Sequence, residues 1–273
     1  MHLEAGSASP VAPAAEPPVV LDRREGPHGE VVLRRHGELL QIISNGTFLM
    51  DTSDGRSERL LVRAALEELR GRKSPETAAT SGQEPGSGRL GHGPSTGPRL
   101  LVGGLGVGFS LVEAAAEPAW GRITVVEREE AVIDWHRPGG PLSPLSAEAL
   151  RDPRTEIVHA DLVEYLRGDD ATPGGPLFDF FDFFDLFDVL CLDIDNGPGW
   201  TVTEDNESLY SPAGLAACGA RLAPGGVLAV WSAQADPTFD DALRNAGFEG
   251  VRTHEVPVVR GVPDVVHFAI KPA

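Results

Sequence analysis

The sequence predicts an α/β fold: a mostly parallel seven-stranded sheet covered by helices, its last strand antiparallel, preceded by a small antiparallel β-domain. Three observations predict it. From Arg99 onward, strand-like apolar runs alternate with helical patterns, which is how a parallel sheet buried on both faces is built. Between Val19 and Thr52 apolar and polar residues alternate in short runs separated by turn residues, as in a meander with tight turns. The last two runs, GVRTHEVPVV and DVVHFAIKP, follow one another without an intervening helix, so the sheet ends in an antiparallel pair.

Residues 1–18 are Ala, Pro, Ser and Gly with little to bury, and read as a disordered tail. In residues 19–70 the runs VVLDRRE, EVVLRRHG, ELLQIIS and TFLMDT are joined by Gly-Pro-His-Gly, a Gly and Asn45-Gly46. Ser53 or Asp54 then caps a helix through ERLLVRAALEELR, whose apolar residues recur at helical spacing. Residues 71–98 are rich in Gly, Pro, Ser and Thr, the composition of a flexible linker. Residues 99–273 carry strand runs RLLVGG, RITVVER, TEIVHA, DVLCLDI and GGVLAVWS, with helices between them, before the closing pair. Phe178 to Asp188 breaks the pattern with a Phe and Asp repeat; it reads as an exposed insertion ahead of a strand starting near Val189.

Composition limits the partners. With 41 acidic against 23 basic residues, the chain of 273 residues carries a formal charge of -18, which opposes nucleic acid and anionic lipid. A small amine cation fits better, and a homodimer is a compatible assembly. Cys191 and Cys218 lack metal or redox spacing and read as buried thiols of a cytoplasmic protein. No run approaches a membrane span, and no basic-then-apolar leader opens the chain.

The chemistry gathers where strands end. The first strand of the parallel sheet runs into Gly103, Gly104, Leu105, Gly106, Val107 and Gly108 before a helix. Glycines let the backbone turn sharply against a ligand, and the helix N-terminus offers free amides to it. Phe109 stands where the third glycine of G-x-G-x-x-G would fall, counted from Gly104, which weakens a dinucleotide reading. Glu127 ends the second strand, where an acid accepts bonds from ribose hydroxyls. Asp161 follows the third, within reach of an adenine amino group or as a helix cap. Asp193 ends the fourth and is the strongest candidate catalytic residue. Asp195 shares its face if the strand stays extended, and two neighbouring carboxylates suit an amine. Trp200 is a candidate stacking residue.

These segments resemble a family. GGLGVG, VVERE, HADLVEYL, DVLCLDIDNGPG, ESLYSPAGLAACGARLAPGGVLAVW and the preceding ISNGTFLMD follow, in order and spacing, the spermidine synthase (polyamine aminopropyltransferase) family. The resemblance covers roughly residues 30–70 and 99–270. It implies a class I methyltransferase-like Rossmann fold behind the β-domain, with no metal. It also implies transfer of an aminopropyl group from decarboxylated S-adenosylmethionine to an amine or polyamine. Gly103, Gly104, Gly106, Gly108, Glu127 and Asp161 then bind the nucleoside, Asp193 takes the amine proton, and Asp54, Asp195, Asn196 and Trp200 face the acceptor. The departures are specific. The family's acid is absent at Gly106, and Asn196 replaces the second acid of D-x-x-D. In the N-terminal segment Asp54 alone is kept, while Leu49, Gly55, Glu58, Arg59 and Leu60 stand for Gln, Glu, Tyr, His and Glu. A cation at Arg59 repels a diamine but pairs with the carboxylate of ordinary S-adenosylmethionine, so methyl transfer is the alternative. A non-catalytic nucleoside- or polyamine-binding protein is a third reading.

Overall fold

The structure, a computed structural model, describes residues 17–72, 97–168, 186–202, 204–258 and 261–273. Residues 1–16 of the expected tail, most of the expected linker and residues 178–185 of the Phe-Asp repeat lie outside the described residues. The first sheet is antiparallel, with order β1 (Val19–Gly26), β2 (Gly29–His36), β3 (Leu39–Ser44) and β4 (Thr47–Asp51). Asn45 takes a left-handed φ of 50° and Gly46 a φ of 78°, the backbone that an Asn-Gly hairpin turn requires. β1 is an edge strand exposed along almost its whole length, so its alternation does not mark a buried face.

α1 (Arg56–Arg72) follows, and Asp54 Oδ1 accepts the Arg56 backbone N–H at 3.1 Å. Its buried stripe of Leu61, Val62, Ala65, Leu66 and Leu69 has the 3.6-residue period of a half-buried helix. Although contiguous with the meander, α1 packs against the second sheet and its helices. The remaining elements are β5 (Arg99–Gly103), α2 (Phe109–Ala116), β6 (Arg122–Glu127), α3 (Glu130–His136), α4 (Ser143–Arg151), β7 (Thr155–His159) and α5 (Leu162–Arg167). Then come β8 (Phe187–Leu192), α6 (Glu204–Tyr210), α7 (Pro212–Arg221), β9 (Leu222–Ser232), α8 (Pro237–Asn245), β10 (Glu249–Val256) and β11 (Asp264–Ile270).

The second sheet has seven strands in the order β10-β11-β9-β8-β5-β6-β7, and β11 runs antiparallel to both of its neighbours. This is the methyltransferase-like arrangement, a mostly parallel sheet whose last strand runs backwards. Side chains alternate across it. Leu100, Val102, Val189 and Cys191 pack into one apolar layer, and Leu101, Leu190 and Leu192 into the other, because successive residues of a strand face opposite ways. The strand order reverses between β5 and β8, and ligands of open α/β sheets bind beyond the carboxyl ends of strands at such a point. Arg154 ties the outer layer together: its guanidinium donates to the carbonyls of Ala115, Glu117 and Trp120 at 2.7–3.1 Å. Among the described residues, no helix is long and apolar enough to cross a membrane.

Candidate active site

A cavity of about 550 Å³ opens at the carboxyl ends of β5, β6 and β8, within the size range of small-molecule sites. Gly104, Gly106, Glu127, Asp161, Asp193, Asp54, Asp195, Asn196 and Trp200 all line it. Gly103 and Gly108 do not. A Cβ at Gly103 would meet Leu162 at 2.6 Å, and Gly108 heads α2 at φ 99° against His136. These two glycines serve close packing and the turn.

The loop is held from several sides. Gly104 has φ 92°, and a Cβ there would lie 2.3 Å from the Asp193 carbonyl oxygen; only glycine lets the ends of β5 and β8 approach so closely. The Asp193 backbone N–H in turn donates to Gly103 O at 2.9 Å. Gly106 has φ 50°, and Met50 Sδ of β4 occupies the space its Cβ would need while accepting the Val107 N–H at 3.2 Å. A methionine from the first sheet therefore fills the place where the resemblance expects an acid. Below the loop, buried His136 bonds Gly106 O through Nε2 at 2.9 Å and Ser146 Oγ through Nδ1 at 2.7 Å.

Glu127 is buried at the end of β6, and its two oxygens accept the N–H groups of Leu105 (2.9 Å) and Glu129 (2.8 Å). Burial raises its pKa against the lowering effect of those two bonds. Asp161 serves the cap role weighed from the sequence: Oδ1 accepts from Val163 N at 2.8 Å and Glu164 N at 3.1 Å. It also lines the cavity, so capping fixes a carboxylate at the cavity wall.

Asp193 follows β8 directly. It is partly buried at the cavity wall, accepts Ser110 Oγ at 2.9 Å, and is pushed up to about 6 by desolvation, against the lowering effect of that bond. Asp195 does not continue the strand. Its φ is 51°, and its Oδ2 accepts Val202 N at 3.0 Å and Asn206 Nδ2 at 2.7 Å, closing the loop that carries Trp200. Asp54 is ion-paired with Arg56 Nε at 2.7 Å. Trp200 is half exposed at the cavity mouth, as are Phe48 and Val262.

Two site residues, Ser57 and Asp264, escaped the sequence reading, and Glu58 entered it only as a departure from the family's tyrosine. Glu58 is buried on the inner face of α1 next to Leu61 and Val62, and Asp264 opens β11. Ser57 lies between their carboxyl groups. A signal existed for Glu58, an acid placed three and four residues before two apolar positions on one helix face. Arg59 lies elsewhere than its sequence assignment supposed. Its guanidinium stacks over the Phe109 ring at 4.4 Å and is not part of the cavity wall. In all, nine carboxyl side chains and two arginines line the cavity among the described residues.

No protein-family model matches the chain, and no curated protein matches its sequence. Solved structures do match. Spermidine synthase from Thermotoga maritima superposes with a TM-score of 0.62 at 18% identity, over 93% of this chain and 73% of that one. A spermidine synthase in complex with the transition-state analogue AdoDATO gives 0.63 at 19% identity, over 93% and 74%. The chain therefore has the spermidine synthase fold, a β-domain ahead of a methyltransferase-like sheet.

Proposed function

We propose that this chain is a transferase that takes decarboxylated S-adenosylmethionine and moves its aminopropyl group onto an amine or polyamine. Gly104 and Gly106, with Glu127 and Asp161, hold the nucleoside against the ends of β5 and β6. The amine nitrogen forms its new bond to the carbon that leaves sulfur, the sulfur keeps the electron pair of the broken bond as methylthioadenosine, and Asp193 accepts the N–H proton. A carboxylate pushed up to about 6 is a stronger base than an ordinary one while still mostly ionised at neutral pH. Asp54, Asp195, Asn196 and Trp200 face the acceptor.

The observation that carries this reading is the cavity's charge, nine carboxyl groups of which one is the desolvated base Asp193. The same charge decides between donors. Both wall arginines already have acidic partners, Arg56 in Asp54 and Arg128 in Glu129 at 3.3 Å. The carboxylate of ordinary S-adenosylmethionine would enter an acidic field, whereas the decarboxylated donor brings only positive charge. Methyl transfer is accordingly the weaker alternative. Incubation with each donor and a panel of amines, followed by mass spectrometry, tests the reading. Methylthioadenosine with an aminopropylated amine supports it, S-adenosylhomocysteine supports methyl transfer, and nucleoside binding with neither product supports a non-catalytic binder.

A further inference from the structure

A carboxyl group unused by the mechanism above lies beside its base. Glu58 is 6% exposed. The charges acting on it are Asp193 from the end of β8 and Asp264 from the start of β11, both of which repel its ionised form. Behind Asp193 lies the buried Cys191 thiol, and Asp54, paired with Arg56, acts on Asp264. Among the described residues, the largest charge effects on Glu58 come from these two carboxyl groups; Arg56 of the same cavity wall is paired with Asp54.

Ser57 bridges the two carboxyl groups. Its Oγ is 3.0 Å from Glu58 Oε2 and 2.7 Å from Asp264 Oδ2. A hydroxyl has one proton to donate. It makes two full hydrogen bonds only by donating to one carboxyl oxygen and accepting from the other, which is then a carboxylic acid. Burial selects Glu58, which is pushed up to about 8, while Asp264 is the more open of the two. A second feature points to a ligand at this wall. Asn196 Nδ2 lines the same cavity on a side chain 5% exposed and has no hydrogen-bond partner among the described residues, whereas Trp231 donates to Asp264. Buried donors of this kind are normally satisfied by a bound molecule or water.

We propose that Glu58 is a neutral acid in the empty site and gives up its proton when an amine cation enters, so that acceptor binding is coupled to proton release. The inference rests on the amine-site reading above. The O–H bond of Glu58 breaks, its electron pair stays on the carboxylate, and the proton leaves to solvent; nothing is oxidised or reduced. The empty cavity thus avoids stacking three charges, and the filled one offers all three to the ammonium group. Acceptors without a positive charge gain nothing from the exchange. With one proton released per amine bound, affinity rises about tenfold per pH unit below the Glu58 titration and levels off above it.

The probe is 1,4-diaminobutane. Titration calorimetry at pH 7 in buffers of different ionisation enthalpy counts the protons released. The expected count is close to one for the wild-type chain, near zero for Glu58→Gln and restored in Glu58→Asp. Carboxyl carbon NMR of the unliganded protein gives a readout independent of binding: a glutamate titrates above neutrality in the wild-type chain and that signal is missing from Glu58→Gln, which separates it from Glu127, also raised by burial. Diamine binding without proton release, or titration of every glutamate in the ordinary range, overturns the coupling and leaves the amine site standing. Failure of the wild-type chain to bind the diamine overturns the amine-site reading and the coupling with it.

Discussion

Replacing Asp193 with Asn is expected to move activity and stability in opposite directions. Burial raises the folded-state pKa of Asp193 from 3.8 to about 6, so the folded chain holds this proton more tightly than the unfolded one. The stability contributed by that proton is fully present below pH 3.8 and is lost as pH rises through about 6. At pH 7 the ionised side chain therefore costs about 3 kcal/mol, roughly two pKa units. Asn keeps an acceptor for Ser110 Oγ without the charge. Asp193→Asn should then melt about 5–10 °C higher at pH 7, and the gap should close by pH 4. Turnover should fall about 10²–10⁴-fold, because the proton acceptor is gone. Thermal melts at both pH values, with product formation at pH 7, make the test. A variant that melts lower at pH 7, or shows the same offset at pH 4, refutes the argument for a desolvated base.

Further expectations follow from single contacts. Gly104→Ala places a Cβ 2.3 Å from the Asp193 carbonyl at φ 92°; it should cost about 2 kcal/mol or more in denaturant unfolding, together with most of the turnover. Glu127→Gln can no longer accept from both Leu105 N and Glu129 N, so affinity for methylthioadenosine by calorimetry should drop about tenfold, in line with an unpaired buried N–H. Arg154→Ala strips its donors from three backbone carbonyls remote from the cavity. It should lower stability by about 3 kcal/mol while leaving turnover intact at low temperature. Arg59→Gln should leave donor preference unchanged in competition between S-adenosylmethionine and its decarboxylated form, since Arg59 stacks on Phe109 away from the cavity.

Local signals made much of this fold legible. The four strands of the first sheet lie within two residues of their alternating runs, and the turn at Asn45-Gly46 carries the backbone its residues demand. Asp193 and Glu127 could be assigned to the cavity because a strand-end acid in a parallel sheet has one place to go. Non-local events could not be read. α4 and α6 escaped notice because one begins at Ser143-Pro144 inside a Pro and Gly-rich stretch and the other runs straight into the Ser211-Pro212 start of α7. The bend at Asp195 is set by its bonds to Val202 and Asn206, seven and eleven residues away. Met50 on the glycine loop and Asp264 beside Ser57 depend on contacts between segments 57 and 207 residues apart. No spacing rule along the chain encodes such meetings.

The central claim is that the ends of β5, β6 and β8 cradle an adenosyl sulfur compound. Calorimetric titration of the purified chain with methylthioadenosine, repeated with decarboxylated S-adenosylmethionine, tests it most directly. Saturable binding of both at one site, with each displacing the other, is the expected result. A chain that takes up neither compound, while melting cooperatively as a folded protein, contradicts the account.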